Sequence, residues 1–464
     1  MNSYHLWTVG CQVNQADSGK LAAGLRRLGW DPTDNPADAD FIVLNTCAVR
    51  EHAEERAASK LGALAHLKQH NPTLKIAVMG CMVGPKDDQL RKRFPYVDVF
   101  ARPQQFTDVL SVLDIPDQDL GGEFWPAVFP QSDGHPTAFV PVIEGCDKFC
   151  TYCIVPLRRG RERSRPIEEV VREVRAHVDR GVREVTLLGQ TVEAYGKDQP
   201  SIDSATPHAD LFDLMAALND IPALHRIRAL TSYPPDMTDR ILEGMTTLPK
   251  VCEHFSLPVQ SGDDTLLTDM RRGYTTHHFR DRIAKVRDCM PPINNIPSVG
   301  ISTDVIVGFP GETDTQFQNT YDLLADLRFD KVHVAAYSPR PGTFAARQQP
   351  DDVPGPVKAE RLKAIETLQA AIAAQINQRL EGHTLEVLVE QIKQPNGDDP
   401  STANRCTGRT RTNKLVHFDA PPNNPALRDG ASTPAKGALV QVRINGSGPW
   451  SLRGALTTTT AART

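Results

Sequence analysis

The chain has 464 residues, 40% of them hydrophobic and 23% charged, and a formal net charge of −5. That length calls for two or three domains, and the composition is globular rather than disordered. No window approaches the ~20 uninterrupted apolar residues of a membrane span. The start, MNSYHLWTVGC, lacks the basic region, apolar run and cleavage site of a secretory leader, so a cytoplasmic protein without a membrane partner is expected. The acidic total argues against nucleic-acid binding over the entire surface, yet it hides segregation. From Ser401 to Thr464 nine basic residues face only two acids, Asp419 and Asp429.

Residues 1–118 read as strand–helix alternation. YHLWTVGC, ADFIVLNTC and LKIAVMGC are strand candidates, each ending on a cysteine, with DSGKLAAGLRRLGW and REHAEERAASKLGALAHLKQH as helices between them. Such alternation predicts a parallel α/β sheet, whose strand carboxyl ends form the binding crevice. Cys11, Cys47 and Cys81 would then meet in one crevice despite their separation in sequence. Residues 119–136, rich in Gly, Pro and Asp, read as a linker.

A second α/β series fills 137–375. Its strand candidates are AFVPVI (138–143), REVTLL (183–188), HRIRAL (225–230), HFSLPV (254–259), GISTDVIVGF (300–309) and KVHVAAYS (331–338). Six strands with crossover helices suit a partial (β/α)6 barrel of the TIM type, with its active site at the carboxyl ends. The helix KAERLKAIETLQAAIAAQINQRLEG leads into 380–455, where LEVLVEQI, KLVHF and ALVQVRI predict a small all-β, OB-like barrel. Residues 456–464 are expected to be a disordered tail.

Nine cysteines in a cytosolic chain call for chemistry rather than disulfides. EGCDKFCTYC sets Cys146, Cys150 and Cys153 at C-x3-C-x2-C spacing. Soft thiolates select zinc, copper(I) or an iron–sulfur cluster. A structural zinc site wants four closed ligands, commonly in C-x2-C pairs, and no second pair follows nearby. Three thiolates on a 4Fe-4S cluster leave one iron open to a small molecule. On spacing alone, a zinc knuckle completed by a remote Cys or His remains the alternative. Cys11, Cys47 or Cys81 taken singly would be a small core hydrophobe. Three at equivalent strand ends are better explained as ligands to a second cluster. Cys252, Cys289 and Cys406 read as structural, and the 14 histidines form no ligand-spaced group.

C-x3-C-x2-C just after the first barrel strand, with Tyr152 before the last cysteine, resembles the radical S-adenosylmethionine (SAM) superfamily. The resemblance implies that the open iron binds the amino and carboxylate groups of SAM. One electron then cleaves SAM to a 5′-deoxyadenosyl radical, while the protein supplies orientation and excludes water. TVGCQVNQADS, NTCAVREHAE and MGCM resemble the N-terminal domain of methylthiotransferases, which implies that a 4Fe-4S cluster on Cys11, Cys47 and Cys81 binds and delivers sulfur. Gly19 stands where that family's N-x-x-D-S-E stretch has glutamate, a change that leaves the thiols intact. The stretches GCDKFCTYCIVPLRRGRERSRP, LLGQTVEAYG, HFSLPVQSGDD, MRRGYT, DVIVGFPGET and YSPRPGT match the same pattern. The C-terminal module resembles the family's TRAM domain, an RNA-binding barrel. Its GRTRTNKLVHF stretch resembles the tRNA-modifying MiaB branch.

The resemblance implies a methylthiotransferase with two 4Fe-4S clusters and SAM as cofactors. One SAM methylates sulfur at the Cys11/Cys47/Cys81 cluster, and the other, cleaved at the Cys146/Cys150/Cys153 cluster, yields the radical that removes hydrogen from C2 of an adenine. In the MiaB branch the substrate is the isopentenylated adenosine beside the tRNA anticodon, a loop base of the kind proteins splay out and read. A tRNA anticodon stem-loop, an electron donor and a sulfur source are the expected partners of a monomer. Gly189, Gln190, Gly308, Pro310 and Gly311 are candidates for lining the SAM pocket, since glycine lets backbone approach a ligand. Ordinary strand–helix turns are the alternative for each. Of the run Arg158, Arg159, Arg161, Arg163 and Arg165, phosphate contact is expected at Arg158, Arg161 and Arg163. Ion pairing with Glu162, Glu168 and Glu169 is the alternative. Arg409, Arg411 and Lys414 are the RNA-contact candidates of the C-terminal module. Other substrates for the same chemistry are a threonylcarbamoyl-modified adenosine or an aspartate of a ribosomal protein. A non-catalytic RNA-binding protein with structural zinc is the reading from another class.

Overall fold

The computed structural model describes residues 2–48, 51–116, 124–130, 134–199, 208–293, 296–393, 404–420 and 434–459. The first part alternates β1 (Ser3–Thr8), α1 (Gln12–Arg27), β2 (Asp31–Pro32), β3 (Phe41–Thr46), α2 (Glu51–His70), β4 (Lys75–Gly80), α3 (Asp88–Arg93), β5 (Val99–Ala101) and α4 (Phe106–Leu110). These make a wholly parallel sheet of order β2-β1-β3-β4-β5. β2 and β5, absent from the sequence reading, have two and three residues, too few to show a period. The central β3 is buried at every position. Its alternate side chains feed two cores: Ile42 and Leu44 pack with α2, and Phe41 and Val43 with α1 and α4. Strand order reverses between β1 and β3, so the crevice of this sheet opens beside their carboxyl ends.

The second part opens with β6 (Thr137–Pro141). A short antiparallel ribbon, β7 (Ile143–Glu144) with β8 (Arg163–Ser164), then closes the base of the cysteine loop, which carries α5 (Val155–Arg159). There follow α6 (Ile167–Asp179), β9 (Glu184–Leu188), α7 (Leu211–Asn219), β10 (Arg226–Leu230), α8 (Asp239–Thr247), β11 (His254–Ser256), α9 (Asp264–Asp269), α10 (Thr276–Cys289), β12 (Gly300–Val307), α11 (Asp314–Leu327), β13 (Lys331–Ala336), α12 (Phe344–Gln348) and α13 (Gly355–Gln378). The sheets β6-β9-β10 and β11-β12-β13 join through the parallel bridge Ile227–Val251, giving an open arc of parallel strands as expected. Val185, Leu187, Ile227, Ala229, Val305 and Val307 face the helices and form the core. By the two-residue period, Glu184, Thr186, Arg226, Arg228, His254 and Ser302 face the lumen, which is therefore polar.

The third part is a closed five-stranded barrel of order β14-β15-β16-β18-β17, comprising β14 (Thr384–Lys393), β15 (Asn404–Thr410), β16 (Leu415–Ala420), β17 (Leu439–Ser447) and β18 (Leu452–Thr459). β18 pairs with β16 and β17 and so closes the barrel. The tail expected to be disordered from 456 is thus strand through Thr459, and its remainder lies outside the described residues. The expected linker falls within them only at 124–130 and 134–136. There Trp125 packs on Phe106 and Phe124.

The tip of the β15–β16 hairpin plugs the amino end of the larger barrel. Arg228 donates to the carbonyls of Arg411 and Thr410 at 2.7 Å, and Arg226 to that of Arg409 at 2.7 Å. Arg226 also reaches Glu386 at 2.9 Å, while Glu184 holds Arg228 at 2.8 Å. Arg411 and Lys414, expected to face RNA, are instead engaged with the larger barrel, at Glu253 (2.7 Å) and Asp330 (2.5 Å). Arg409 keeps partial exposure, 3.4 Å from Glu390. The small barrel therefore sits at the end of the strands opposite the mouth.

Candidate functional site

The three strand ends of the first sheet converge as their order requires. Cys11 caps α1 and follows β1, Cys47 follows β3, and Cys81 follows β4. A Cβ on Gly10 would lie 2.9 Å from that of Cys47, and one on Gly80 would collide with the Thr46 carbonyl, so glycine before two of the cysteines permits the close approach. Cys81 N–H donates to Thr46 O at 2.8 Å. Asn14 donates to Asn45 Oδ1 (2.9 Å) and Thr46 O (3.1 Å), and Asn45 donates back to Asn14 O (2.8 Å) and to Ser18 Oγ (2.9 Å). This buried network locks α1 against β3 and presents the Cys11 thiol, which donates to Asn14 Oδ1 at 3.3 Å. Burial pushes Cys81 up to about 11, with Cys47 and Cys11 adding to the rise.

The second trio lies on the loop closed by the β7–β8 ribbon, at the carboxyl end of the first barrel strand. Cys146 Sγ is 3.6 Å from Thr191 Oγ1, and burial raises its thiol, with Cys150 contributing. Cys153 keeps some exposed surface, but burial of its thiol, with Cys150 and Cys146 adding, pushes it up to about 12. Arg272 is buried against Cys150, with Nη1 3.1 Å from Sγ and Nε 3.0 Å from the Tyr274 hydroxyl. Its guanidinium stands 5.0 Å from the Tyr233 ring centroid and 5.3 Å from that of Tyr274, and Tyr233 donates to its carbonyl oxygen. Lys148 in the same loop pairs with Asp236 at 2.6 Å. Glu193 lies just beyond β9 and accepts from Tyr233 N–H at 3.3 Å; burial raises it to about 7.

Arg159 ties the trios together. It sits six residues after Cys153, yet its Nη2 meets Asp17 of α1 at 2.9 Å, with both side chains 2% exposed. Its charge also faces Cys81 and Cys11, and Nη1 has no hydrogen-bond partner among the described residues. Burial outweighs the arginine at Asp17, whose carboxyl is raised, whereas Arg159 is held charged by Asp17 and Cys81. Arg159 carries its charge here, because guanidinium does not deprotonate in proteins. Val13 and Ala16 of α1 pack on Leu188, with Cys11, Phe139 and Leu230 around them, so helix α1 lies directly on the barrel strands.

Cys81, Cys146 and Cys153, raised by burial and by the thiols beside them, belong to donor sets that a cationic cluster would deprotonate and hold. Among the described residues no group of His, Cys, Asp and Glu is set to hold a single metal ion. A polynuclear cluster takes each thiolate on a different metal atom, so the trios fit that group.

Known protein families match two segments of the chain. Residues 3–101 match the family described as "Uncharacterized protein family UPF0004", and residues 140–324 match the radical SAM superfamily. The tRNA-2-methylthio-N(6)-dimethylallyladenosine synthase of Roseiflexus sp. is 45% identical, over 98% of this chain and 89% of its own length. The synthase of the same name from Dehalococcoides mccartyi CBDB1 is 43% identical over 98% and 99%. The chain belongs to this synthase family. Among solved structures, the cobalamin- and [4Fe-4S]-bound radical SAM methyltransferase TsrM of Kitasatospora setae aligns with a TM-score of 0.51 at 13% identity, covering 75% of this chain and 77% of that one. That likeness shows the radical SAM fold.

This radical SAM methylthiotransferase arranges its other candidate residues less evenly. Gly189 and Gln190 follow β9, and Gly308, Pro310 and Gly311 follow β12, all at the mouth. The tight spaces at the glycines hold protein: a Cβ on Gly189 would strike Ile143, and one on Gly308 the stem of Lys358. Gly308 N–H donates to Glu312 at 2.5 Å and Gly311 N–H to Asp352 at 2.8 Å. Arg158 is half-buried and turned toward Gly84 of the first domain. Arg165 is bound to Glu173 (2.6 Å) and Glu169 (2.8 Å). Arg161 and Arg163 are exposed. Arg272, Asp17 and Glu193 escaped the sequence reading. MRRGYT carried Arg272 in plain view, but nothing local shows that its guanidinium reaches a cysteine 122 residues away.

Proposed function

We propose that the protein installs a methylthio group at C2 of the isopentenylated (dimethylallyl) adenosine beside the tRNA anticodon. Cys146, Cys150 and Cys153 hold the SAM-binding 4Fe-4S cluster in this reading, and Cys11, Cys47 and Cys81 hold a second. When bound, the first supplies the electron that cleaves SAM and the second carries the sulfur to be inserted. The observation that carries the reading is the placement of both trios at one barrel mouth, with Arg159 running from the loop of one to the thiols of the other. The names of the relatives supply the substrate.

The chain's own residues have definite tasks. Arg272 orients Cys150 and brings one positive charge to a site that must accept an electron. The Asn14–Asn45 network fixes Cys11 and Cys47, and Arg159 balances anionic sulfur around Cys81. α1 on Leu188 and Phe139 shields the upper lumen from water. Gly189, Gln190, Gly308, Pro310 and Gly311 frame the SAM pocket by their place at the mouth.

Domains 1–118, 137–375 and 380–455 divide the work, and the small barrel serves as a TRAM-like RNA module. With Arg411 and Lys414 engaged elsewhere, exposed Arg405, Arg443 and Arg453 are its phosphate contacts, joined by Arg409. Arg161 and Arg163 meet the RNA near the mouth, with Arg158 at the domain seam. The strands separating module from mouth span ~17–20 Å, so the tRNA must pass along the outside of the larger barrel. The protein acts as a cytoplasmic monomer, served by an electron donor and a sulfur source.

The test is nucleoside mass spectrometry after anaerobic incubation of the reconstituted protein with SAM, reductant and an isopentenylated anticodon stem-loop. The methylthio-isopentenyl nucleoside is expected. Its absence, with conversion of a threonylcarbamoyl-adenosine substrate instead, overturns the substrate assignment.

A further inference from the structure

Few large hydrophobic side chains are left in solvent among the described residues: Phe149 (48% exposed), Leu157 (41%), Ile293 (67%), Phe344 (37%) and Trp450 (58%). Three of them stand together at the mouth. Phe149 lies inside the cysteine loop after the first barrel strand, Leu157 lies on α5, and Phe344 opens α12 beyond the last strand. The two edges of the open arc meet here. Ala345 N–H donates to Thr151 O at 2.9 Å, and a Cβ on Gly342 would lie 3.3 Å from Leu157 Cδ1.

Both rings are backed by arginine. The Arg161 guanidinium is 5.4 Å from the Phe149 ring centroid and is anchored by Asp147 at 2.7 Å. The Arg271 guanidinium is 4.2 Å from the ring centroid of Phe344. Phe149 has φ 50° and Arg271 φ 54°, a left-handed conformation that bulky residues rarely adopt without a reason. At Phe149 it turns an aromatic ring outward from a loop whose flanking cysteines point inward. A core residue would gain nothing from that geometry, and a soluble surface would do better without the ring.

We propose that Phe149 and Phe344, with Arg161 and Arg271, are stacking platforms for the unpaired bases flanking the adenosine that enters the mouth. Every base has a face that stacks on an aromatic ring, and the paired arginine adds cation–π contact and attraction for the adjoining phosphates. The basic rim matches a polyanion. An unpaired strand has base faces free to stack on such rings, whereas the bases of a duplex are already stacked. This inference rests on the tRNA reading and names the side chains that would hold the loop open.

The experiment is fluorescence anisotropy of a labelled anticodon stem-loop RNA with the reconstituted full-length protein, without reductant. Phe149→Ala and Phe344→Ala are each expected to weaken binding about five-fold or more, and the double variant further. Phe149→Trp should bind as wild type, and the visible absorption of the clusters should be unchanged in all. A stem duplex lacking the loop should bind all proteins alike. If Phe149→Ala fails to fold, Phe149→Leu, which keeps bulk and removes the ring, carries the same expectation. Wild-type affinity in both Phe344→Ala and the folded Phe149 variant overturns the proposal. A wild-type protein that binds neither RNA overturns the tRNA reading itself, a different outcome from loss confined to the variants.

Discussion

Replacing Asp17 by alanine leaves the Arg159 guanidinium buried with its carboxylate partner gone. The pair is separated by 2.9 Å with both side chains 2% exposed, so solvent screens it little. At an effective dielectric of about 20, two unit charges at that distance attract by about 6 kcal/mol. Most of this offsets the loss of hydration on burial, which is why removing both partners is far milder than removing one. Asp17→Ala is expected to destabilise the cluster-free protein by about 3–5 kcal/mol. The double variant Asp17→Ala/Arg159→Met fills the space with apolar atoms and should recover at least half of that loss. Urea unfolding followed by tryptophan fluorescence reads the effect, since Trp7, Trp30 and Trp125 all lie in or against the first sheet. A single variant within about 0.5 kcal/mol of wild type, or a double variant no better than the single, would refute the account of Arg159 as a charge held jointly by Asp17 and the first trio.

Glu193 gives a pH signature. Its carboxyl stands at about 7 in the fold against 4.5 when free, so the fold favours the protonated form. That stabilisation is complete below the free value and is lost as pH rises through about 7. It amounts to roughly 3 kcal/mol in all, about 1 kcal/mol of it between pH 6 and pH 8. Glu193→Gln should flatten this dependence of the urea midpoint, and an unchanged slope would exclude Glu193 as its source. Glu184→Ala exposes Arg228 to the same unpaired-charge penalty of about 3–5 kcal/mol at the hairpin plug, while Arg226 keeps Glu386. Hydrogen exchange at Thr410–Lys414 should rise sharply while exchange in the first sheet stays constant. Arg272→Met removes a positive charge beside Cys150, so the SAM-binding cluster should become harder to reduce. An EPR-monitored titration should give a more negative midpoint, with iron affinity down roughly ten- to hundred-fold against a chelator.

What could be read from the sequence was whatever is local. Cys146, Cys150 and Cys153 lie on one loop, and Cys11, Cys47 and Cys81 end three strands whose apolar runs announce a parallel sheet; strand polarity alone then brings them to one crevice. The six barrel strands were visible for the same reason, each carrying apolar residues on its helix-facing side. β15 and β18 were not, because NRCTGRT and LRGALTTT alternate small, polar and charged residues whose strand character comes only from closing the barrel. The hairpin plug was hidden more deeply. Arg411 and Lys414 look like an RNA grip when their neighbours in sequence are counted. Their partners, Glu253 and Asp330, belong to another domain. Arg159 was disguised likewise, as one member of a basic run, with its carboxylate 142 residues away. Charge in a sequence shows that a residue needs a partner, and only the fold says whether that partner is solvent, phosphate or a buried acid.

The central claim, two clusters on two cysteine trios, is tested most directly by iron and sulfide analysis of three proteins after anaerobic reconstitution: wild type, the Cys11/Cys47/Cys81→Ala variant and the Cys146/Cys150/Cys153→Ala variant. About eight irons are expected in the first and about four in each of the others. The EPR signal of the reduced cluster should respond to SAM only where Cys146, Cys150 and Cys153 remain. A wild-type protein that takes up about four irons, or zinc in place of iron, would contradict it.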